Sequence, residues 1–255
     1  MIILYGGQTG DKGHSTGGSR GAANEAAIVE VAGFIHNCPY YAGENRNSIM
    51  NDQKHWADIY QTKAPDNVSW YQTRPDISLD LIQQTGIKLD EALIDVGAGA
   101  STLVDYLIKA HYQDITLLDI AADALEITRT RLGAASEGIQ WLVGDITEVK
   151  LLPEQYAVWH DRAVFHFLTG SALQQRYIEQ VRHALKPDGH MVIATFAPDG
   201  PQQCSGLNVA QYDAAGLQRA FGAGFRLINS MGETHRTPWG SDQRFTYCHL
   251  QKITG

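Results

Sequence analysis

From about residue 77 onward, short apolar runs alternate with longer segments whose apolar residues recur every three or four positions, the period of a helix with one buried face. The apolar runs at 92–96, 115–120, 139–143, 156–160 and 191–196 predict strands buried on both faces. Between them, 77–85, 101–111, 122–132 and 171–185 carry the helical period, and in 101–111 Leu103, Leu107 and Ile108 fall on one side. Ser171 is placed to cap the last of these helices, and Lys186-Pro187-Asp188-Gly189 predicts a turn before the fifth strand. Such alternation calls for parallel strands joined by helical crossovers, so the expected class is α/β with a doubly wound, mostly parallel sheet. The C-terminal part differs in kind. There 225–234 and 244–251 are strand-like, and the loop His235-Arg236-Thr237-Pro238-Trp239-Gly240 is short enough for an antiparallel hairpin.

The first 49 residues hold nine of the 25 glycines, and GGQTGDKGHSTGGSRG predicts loop. At Met50 the composition changes, and aromatic anchors follow at Trp56, Tyr60, Trp70 and Tyr71. We expect residues 1–49 to form a loosely packed extension and the folded domain to span 50–255, opening with an aromatic lid over about 50–76.

With 255 residues and 44% hydrophobic composition, the chain can bury a sizeable core. Its net charge of −8, without any run of Lys or Arg, leaves no electrostatic footprint for nucleic acid or an anionic membrane surface. Cys38, Cys204 and Cys248 are scattered and form no CxxC pair, and the ten histidines form no HxH or HExxH, so neither a disulfide framework nor a metal site is expected. No apolar stretch approaches the roughly 18 to 20 residues of a membrane span, and MIILY turns to glycine too early for a secretory signal. These features predict a soluble, cytoplasmic protein with a small-molecule partner, and they leave the oligomeric state open.

The segment Leu93-Ile94-Asp95-Val96-Gly97-Ala98-Gly99-Ala100-Ser101 lies where the first strand hands over to a helix, the setting in which glycines let a ligand approach the backbone. Asp95 precedes the first glycine, Asp119 closes the second strand and Asp145 follows the third. A dinucleotide fits poorly: its fingerprint wants glycine where Thr102 stands, and Asp95 would repel a pyrophosphate. S-adenosylmethionine has no phosphate, and a carboxylate suits each of its polar features. Asp95 can face the amino-acid end, Asp119 the ribose diol, and Asp145 the adenine amino group while the Ile146 N–H meets a ring nitrogen.

On these residues, 56–252 resembles the class I S-adenosylmethionine-dependent methyltransferases. LIDVGAGAS resembles the family's glycine motif, LLDI its ribose-binding strand end, VGDITE its adenine motif, and LKPDGHMVIATF its helix–turn–fifth strand, with AVWHDRAVFHF in place of the fourth-strand motif. The segment HWADIYQTKAPDNVSWYQTRPDISLDLI is similar to the start of bacterial members of unassigned substrate. The resemblance implies a seven-stranded sheet ending in the antiparallel hairpin. It also implies cofactor contacts at Asp95, Gly97, Ala98, Gly99, Asp119, Ile120, Asp145, Ile146 and His160.

The expected reaction is methyl transfer to a nucleophile in a small molecule, which requires positioning and exclusion of water more than acid–base groups. If the acceptor must lose a proton, His160 or His166 is the natural base. Asp161 either orients that histidine, holds a substrate donor, or pairs structurally with Arg162 or a histidine. Arg162 suits an acidic substrate group, Trp70 and Tyr71 a cation–π enclosure, and His235 the substrate mouth. Cys204 either faces substrate or fills the core. No (Asn/Asp)-Pro-Pro-(Tyr/Phe) follows the fourth strand, which argues against base methylation. A protein lysine acceptor and a non-catalytic cofactor-binding module stay open, and a dinucleotide-dependent oxidoreductase is disfavoured by Thr102 and Asp95.

Overall fold

The computed structural model of the protein describes Val29–Glu30 and residues 44–253. Strands β1 (Val29–Glu30), β2 (Leu93–Val96), β3 (Ile115–Asp119), β4 (Ile139–Val143), β5 (Tyr156–Arg162), β6 (Leu185–Phe196), β9 (Phe225–Arg236) and β10 (Asp242–Lys252) form one sheet in the order β1-β4-β3-β2-β5-β6-β10-β9, while β7 (Gln203–Cys204) and β8 (Leu207–Asn208) form a separate small hairpin. All pairings from β1 to β6 are parallel, and β10 runs antiparallel to both β6 and β9. Seven strands and the C-terminal hairpin are thus as expected, and the two-residue β1 adds an eighth at the edge. Successive strands step from β2 through β3 to β4 on one side and from β5 to β6 on the other. The carboxyl ends of β2 and β5 therefore flank the point at which the strand order reverses, where α/β sheets bind ligands.

Period-two alternation explains why the central strands are continuously apolar. Ile94, Val96, Trp159 and Ile193 enter one core with Tyr177 and Phe165, whereas Leu93, Val158, Val192 and Ala194 enter the other with Leu81 and Leu107. The helices are α1 (Glu44–Thr62), α2 (Asp76–Gln84), α3 (Leu103–Lys109), α4 (Ala122–Leu132), α5 (Ser171–Ala184) and α6 (Ala214–Phe221).

Helix α1 runs through Met50, so the residue at which composition changes is no element boundary; most of 1–49 lies outside the described residues. Two local expectations, the Ser171 cap and the Lys186–Gly189 turn, are corrected. Gly170, not Ser171, is the N-cap of α5, and no side chain caps it. Lys186–Gly189 lies within β6, where the register against β5 jumps from Tyr156–Leu185 to Val158–His190 and the extra residues bulge out. Helix α6 was missed although Asp213 caps it, accepting from the Gly216 N–H at 2.6 Å. Among the described residues no helix is long and apolar enough to cross a membrane and no metal-ligating cluster occurs. Cys204 and Cys248 are buried free thiols, and Cys38 lies outside the described residues.

Candidate active site

A cleft with two lobes opens at the switch point. The larger, of ≈ 150 Å³, is lined by Gly97, Asp119, Ile120, Asp145 and Ile146 and by the aromatic rings of Trp56, Tyr60, Trp70, Phe167, Phe196 and Phe245. The smaller, of ≈ 50 Å³, is lined by Asp95, Ala98, Ser101 and His160 together with Val68, Tyr71, Gln72 and Ser78. Gly97, Trp70 and Arg162 line both.

The glycine turn is fixed by the N–H groups of Gly97 and Ala98, which share the Leu118 carbonyl at 2.8 and 3.0 Å. Gly97 and Gly99 have φ of +67° and +49°, the left-handed region that disfavours side chains. Side chains also press on both. A Cβ on Gly97 would lie 2.0 Å from Val164 Cγ2, and one on Gly99 2.3 Å from the Tyr60 hydroxyl. Gly99 lines neither lobe; its N–H donates to Asp119 Oδ2 at 2.8 Å and so orients that carboxylate.

The three carboxylates sit in different environments. Asp119 is 6% exposed, accepts from the N–H groups of Gly99 and Ala121, and is pushed up to about 6 by burial, against which those hydrogen bonds act. Asp145 uses Oδ1 to accept from the Thr147 N–H and hydroxyl at 2.7 and 2.8 Å while lining the larger lobe. Asp95 is held through Oδ1 by His160 Nδ1 at 2.6 Å, and His160 Nε2 meets Ser78 Oγ at 2.9 Å. This buried Asp95–His160–Ser78 chain links β2, β5 and α2 beside the smaller lobe. Both ring nitrogens of His160, expected as a candidate base, are thus engaged by Asp95 and Ser78.

Asp161 and His166 do not reach either lobe. Asp161 is fully buried and accepts from the Val164 and Phe165 N–H groups at 2.8 and 3.0 Å and from the Tyr177 hydroxyl, which fixes the loop after β5. Its structural partners are therefore Tyr177 and the backbone rather than Arg162 or a histidine. His166 accepts from the Phe196 N–H at 3.3 Å and is pushed down to about 3 by burial and by Arg162, which keeps it neutral. Tyr177→Phe removes a donor to Asp161 and the acceptor of the Trp159 indole N–H at 3.0 Å. It is expected to cost about 1–3 kcal/mol in denaturant unfolding, the penalty for buried groups left unpaired.

Hydrogen bonds tie the segment 69–72 to the body of the domain. His235 Nε2 binds the Ser69 carbonyl at 2.8 Å, Thr102 donates to the Gln72 carbonyl at 3.0 Å, and Gln72 donates to Glu233 at 2.7 Å. His235, expected at the substrate mouth, lines an outer depression with Tyr71 and neither lobe. Arg162 donates to the Trp70 carbonyl at 2.9 Å and to the Tyr247 hydroxyl at 2.8 Å, and lies over the Phe245 ring. Cys204 lines the larger lobe with its thiol pushed up by burial. Ser78, Phe167 and Phe196, which lie within the family-like segments but are not singled out by them, also line the cleft, as do Gln243 and Phe245, which no motif marks.

Residues 93–189 match the family described as a methyltransferase domain. The chain is 29% identical over 112 residues to the malonyl-(acyl-carrier protein) O-methyltransferase of Halalkalibacterium halodurans, a match covering 42% of this chain and 40% of that protein. The chain thus aligns with about two fifths of that relative's length. Among solved structures, the 1,6-didemethyltoxoflavin-N1-methyltransferase of Burkholderia thailandensis is 16% identical with a TM-score of 0.61, covering 86% of this chain and 94% of that one. The (4+2)-cyclase SpnF is 12% identical with a TM-score of 0.59, covering 83% and 95%. At these identities the likeness is one of fold, and a cyclase among the neighbours shows that the fold alone does not fix the reaction.

Proposed function

We propose that the protein transfers a methyl group from S-adenosylmethionine to a nucleophilic atom of a small molecule. The observation that carries this reading is the set of carboxylates at the ends of β2 and β3 and just beyond β4. Among the described residues lining the two lobes, Arg162 is the one cation. Such a donor set suits an ammonium, a diol and an amino group, and it is hostile to a pyrophosphate. Asp119 and Asp145 would hold the ribose and adenine groups, with the Ile146 N–H on the ring, and Asp95 the amino-acid end. When bound, the cofactor supplies a methyl carbon activated by a sulfonium, so an acceptor lone pair forms the new bond as the C–S pair returns to sulfur. The chain's own task is to hold the acceptor and exclude water, which Trp56, Trp70 and Phe167 are placed to do. Among the described residues no histidine lines the larger lobe. A small-molecule acceptor is supported by the didemethyltoxoflavin methyltransferase neighbour, solved with 1,6-didemethyltoxoflavin and S-adenosylhomocysteine bound.

Asp119→Ala is expected to weaken cofactor affinity about tenfold or more, because the diol loses both acceptors at about 1–3 kcal/mol. The diol binds the ionised carboxylate, which protonates at about 6, so affinity should fall as pH drops below that value, by up to about tenfold per pH unit. Calorimetry from pH 5 to 8 checks both, and Asp119→Asn should flatten the profile. The activity itself is tested by incubating the protein with methyl-labelled cofactor and a library of small nucleophiles. Label is expected on at least one of them, and binding without any transfer would contradict the reading.

A further inference from the structure

The larger lobe has an end remote in sequence from the carboxylates at the β3 and β4 ends. It is walled by Trp56, Trp70, Phe167, Phe196 and Phe245, contributed by α1, the lid, the loop after β5, β6 and β10. Resting on the methyl-transfer reading, we propose that this end takes a planar aromatic acceptor that presents an anionic or carbonyl oxygen to Arg162 and an N–H or O–H to Gln243.

Two orphaned polar atoms carry the argument. Arg162 is held by Tyr247 and the Trp70 carbonyl, yet its Nη2 is buried without a hydrogen-bond partner, and the side chain is 10% exposed. Glu233 forms an ion pair with Nη2 at 3.6 Å, too long for a hydrogen bond, and its oxygens already accept from Gln72 and Tyr247, so Nη2 keeps an unused N–H beside a counter-charge. Gln243 Oε1 is likewise buried and unpartnered, and Gln243 lines the same lobe. One unused donor with positive charge and one unused acceptor beside the same aromatic walls match a ligand that carries the complementary pair.

The surroundings narrow the class. Trp56 packs edge-on against Trp70 and Phe167 at 5.8 and 5.0 Å, and Phe196 against Phe245 at 4.8 Å. Such rings favour another aromatic ring over a flexible chain. A lysine side chain would bring an ammonium to the one cation of the lobe, whereas a carboxylate or enolate oxygen is attracted to it. Cys204 adds no charge to oppose an anion, since burial keeps its thiol protonated.

The test is calorimetry on the full chain with and without saturating S-adenosylhomocysteine, using salicylate, para-hydroxybenzoate and alpha-pyridone as probes and cyclohexanecarboxylate as the non-aromatic control. At least one aromatic probe is expected to bind about tenfold tighter than the control. Arg162→Met should weaken that probe about tenfold and Gln243→Leu about fivefold, in line with the loss of one hydrogen bond each. Unchanged S-adenosylhomocysteine affinity in Gln243→Leu serves as the folding control. The proposal is overturned if none of the three probes binds, if the control binds as well, or if neither substitution alters the probe's affinity. Probe binding without any S-adenosylhomocysteine binding would sink the methyl-transfer reading and leave the aromatic site standing.

Discussion

A Gly97→Val protein is expected to lose S-adenosylmethionine binding altogether and to melt earlier than the wild type. The backbone at Gly97 sits at φ +67°, which costs a residue with a Cβ about 1–2 kcal/mol, and a β-branched one more. The new Cβ would stand 2.0 Å from Val164 Cγ2, so the loop after β5 must shift, at about 1–3 kcal/mol for overpacking. That loop is not free to move, because Asp161 holds the Val164 and Phe165 N–H groups. Since Gly97 lines both lobes, the valine would also stand at their junction. Gly97→Ala should show the same backbone penalty with a smaller loss of binding. A Gly97→Val protein that binds the cofactor normally would mean that the turn is not the cofactor's seat.

The second large effect is expected at Asp95, and it should depend on which part of the ligand is present. Asp95 borders the smaller lobe and is aimed by His160, which is itself fixed by Ser78 of α2. If that lobe takes the amino-acid end, Asp95→Ala should weaken S-adenosylhomocysteine binding by roughly ten- to hundredfold, the value of a charge-assisted hydrogen bond of about 1.5–3 kcal/mol. Methylthioadenosine, which lacks that end, should bind within about threefold of its wild-type affinity on the same scale. His160→Asn and Ser78→Ala should show the same selectivity in weaker form, since each only loosens the hold on Asp95. An equal loss for both ligands would mean that Asp95 supports the fold and not the ligand.

How much of this was legible in the sequence depends on how local each signal is. The buried strands and the carboxylates at their ends declare themselves through period and position: Asp119 and Asp145 follow apolar runs that must be strands, and the topology brings their ends together. The partners of His160, Asp161 and His166 could not be read in the same way. Ser78, Tyr177 and Phe196 are separated from them by between 16 and 82 residues, and only the packing of α2, α5 and β6 against β5 decides which carboxylate meets which donor. The polar run Trp159–Phe167 was conspicuous because buried polar groups are costly, but cost alone does not distinguish a catalytic group from a satisfied one. The aromatic end of the larger lobe was hidden for a related reason. Phe196 and Phe245 read as ordinary strand residues until the hairpin pairs them directly, residue against residue.

The central claim is that the cleft over β2, β3 and β5 is a seat for S-adenosylmethionine built on carboxylates. Calorimetric titration of the full chain with S-adenosylhomocysteine, with NAD as competitor, tests it most directly. The account predicts one site per chain, affinity weakened about tenfold or more in Asp119→Ala with the melting transition retained, and no displacement by NAD. Tight NAD binding, or S-adenosylhomocysteine affinity unchanged in a folded Asp119→Ala protein, would contradict it.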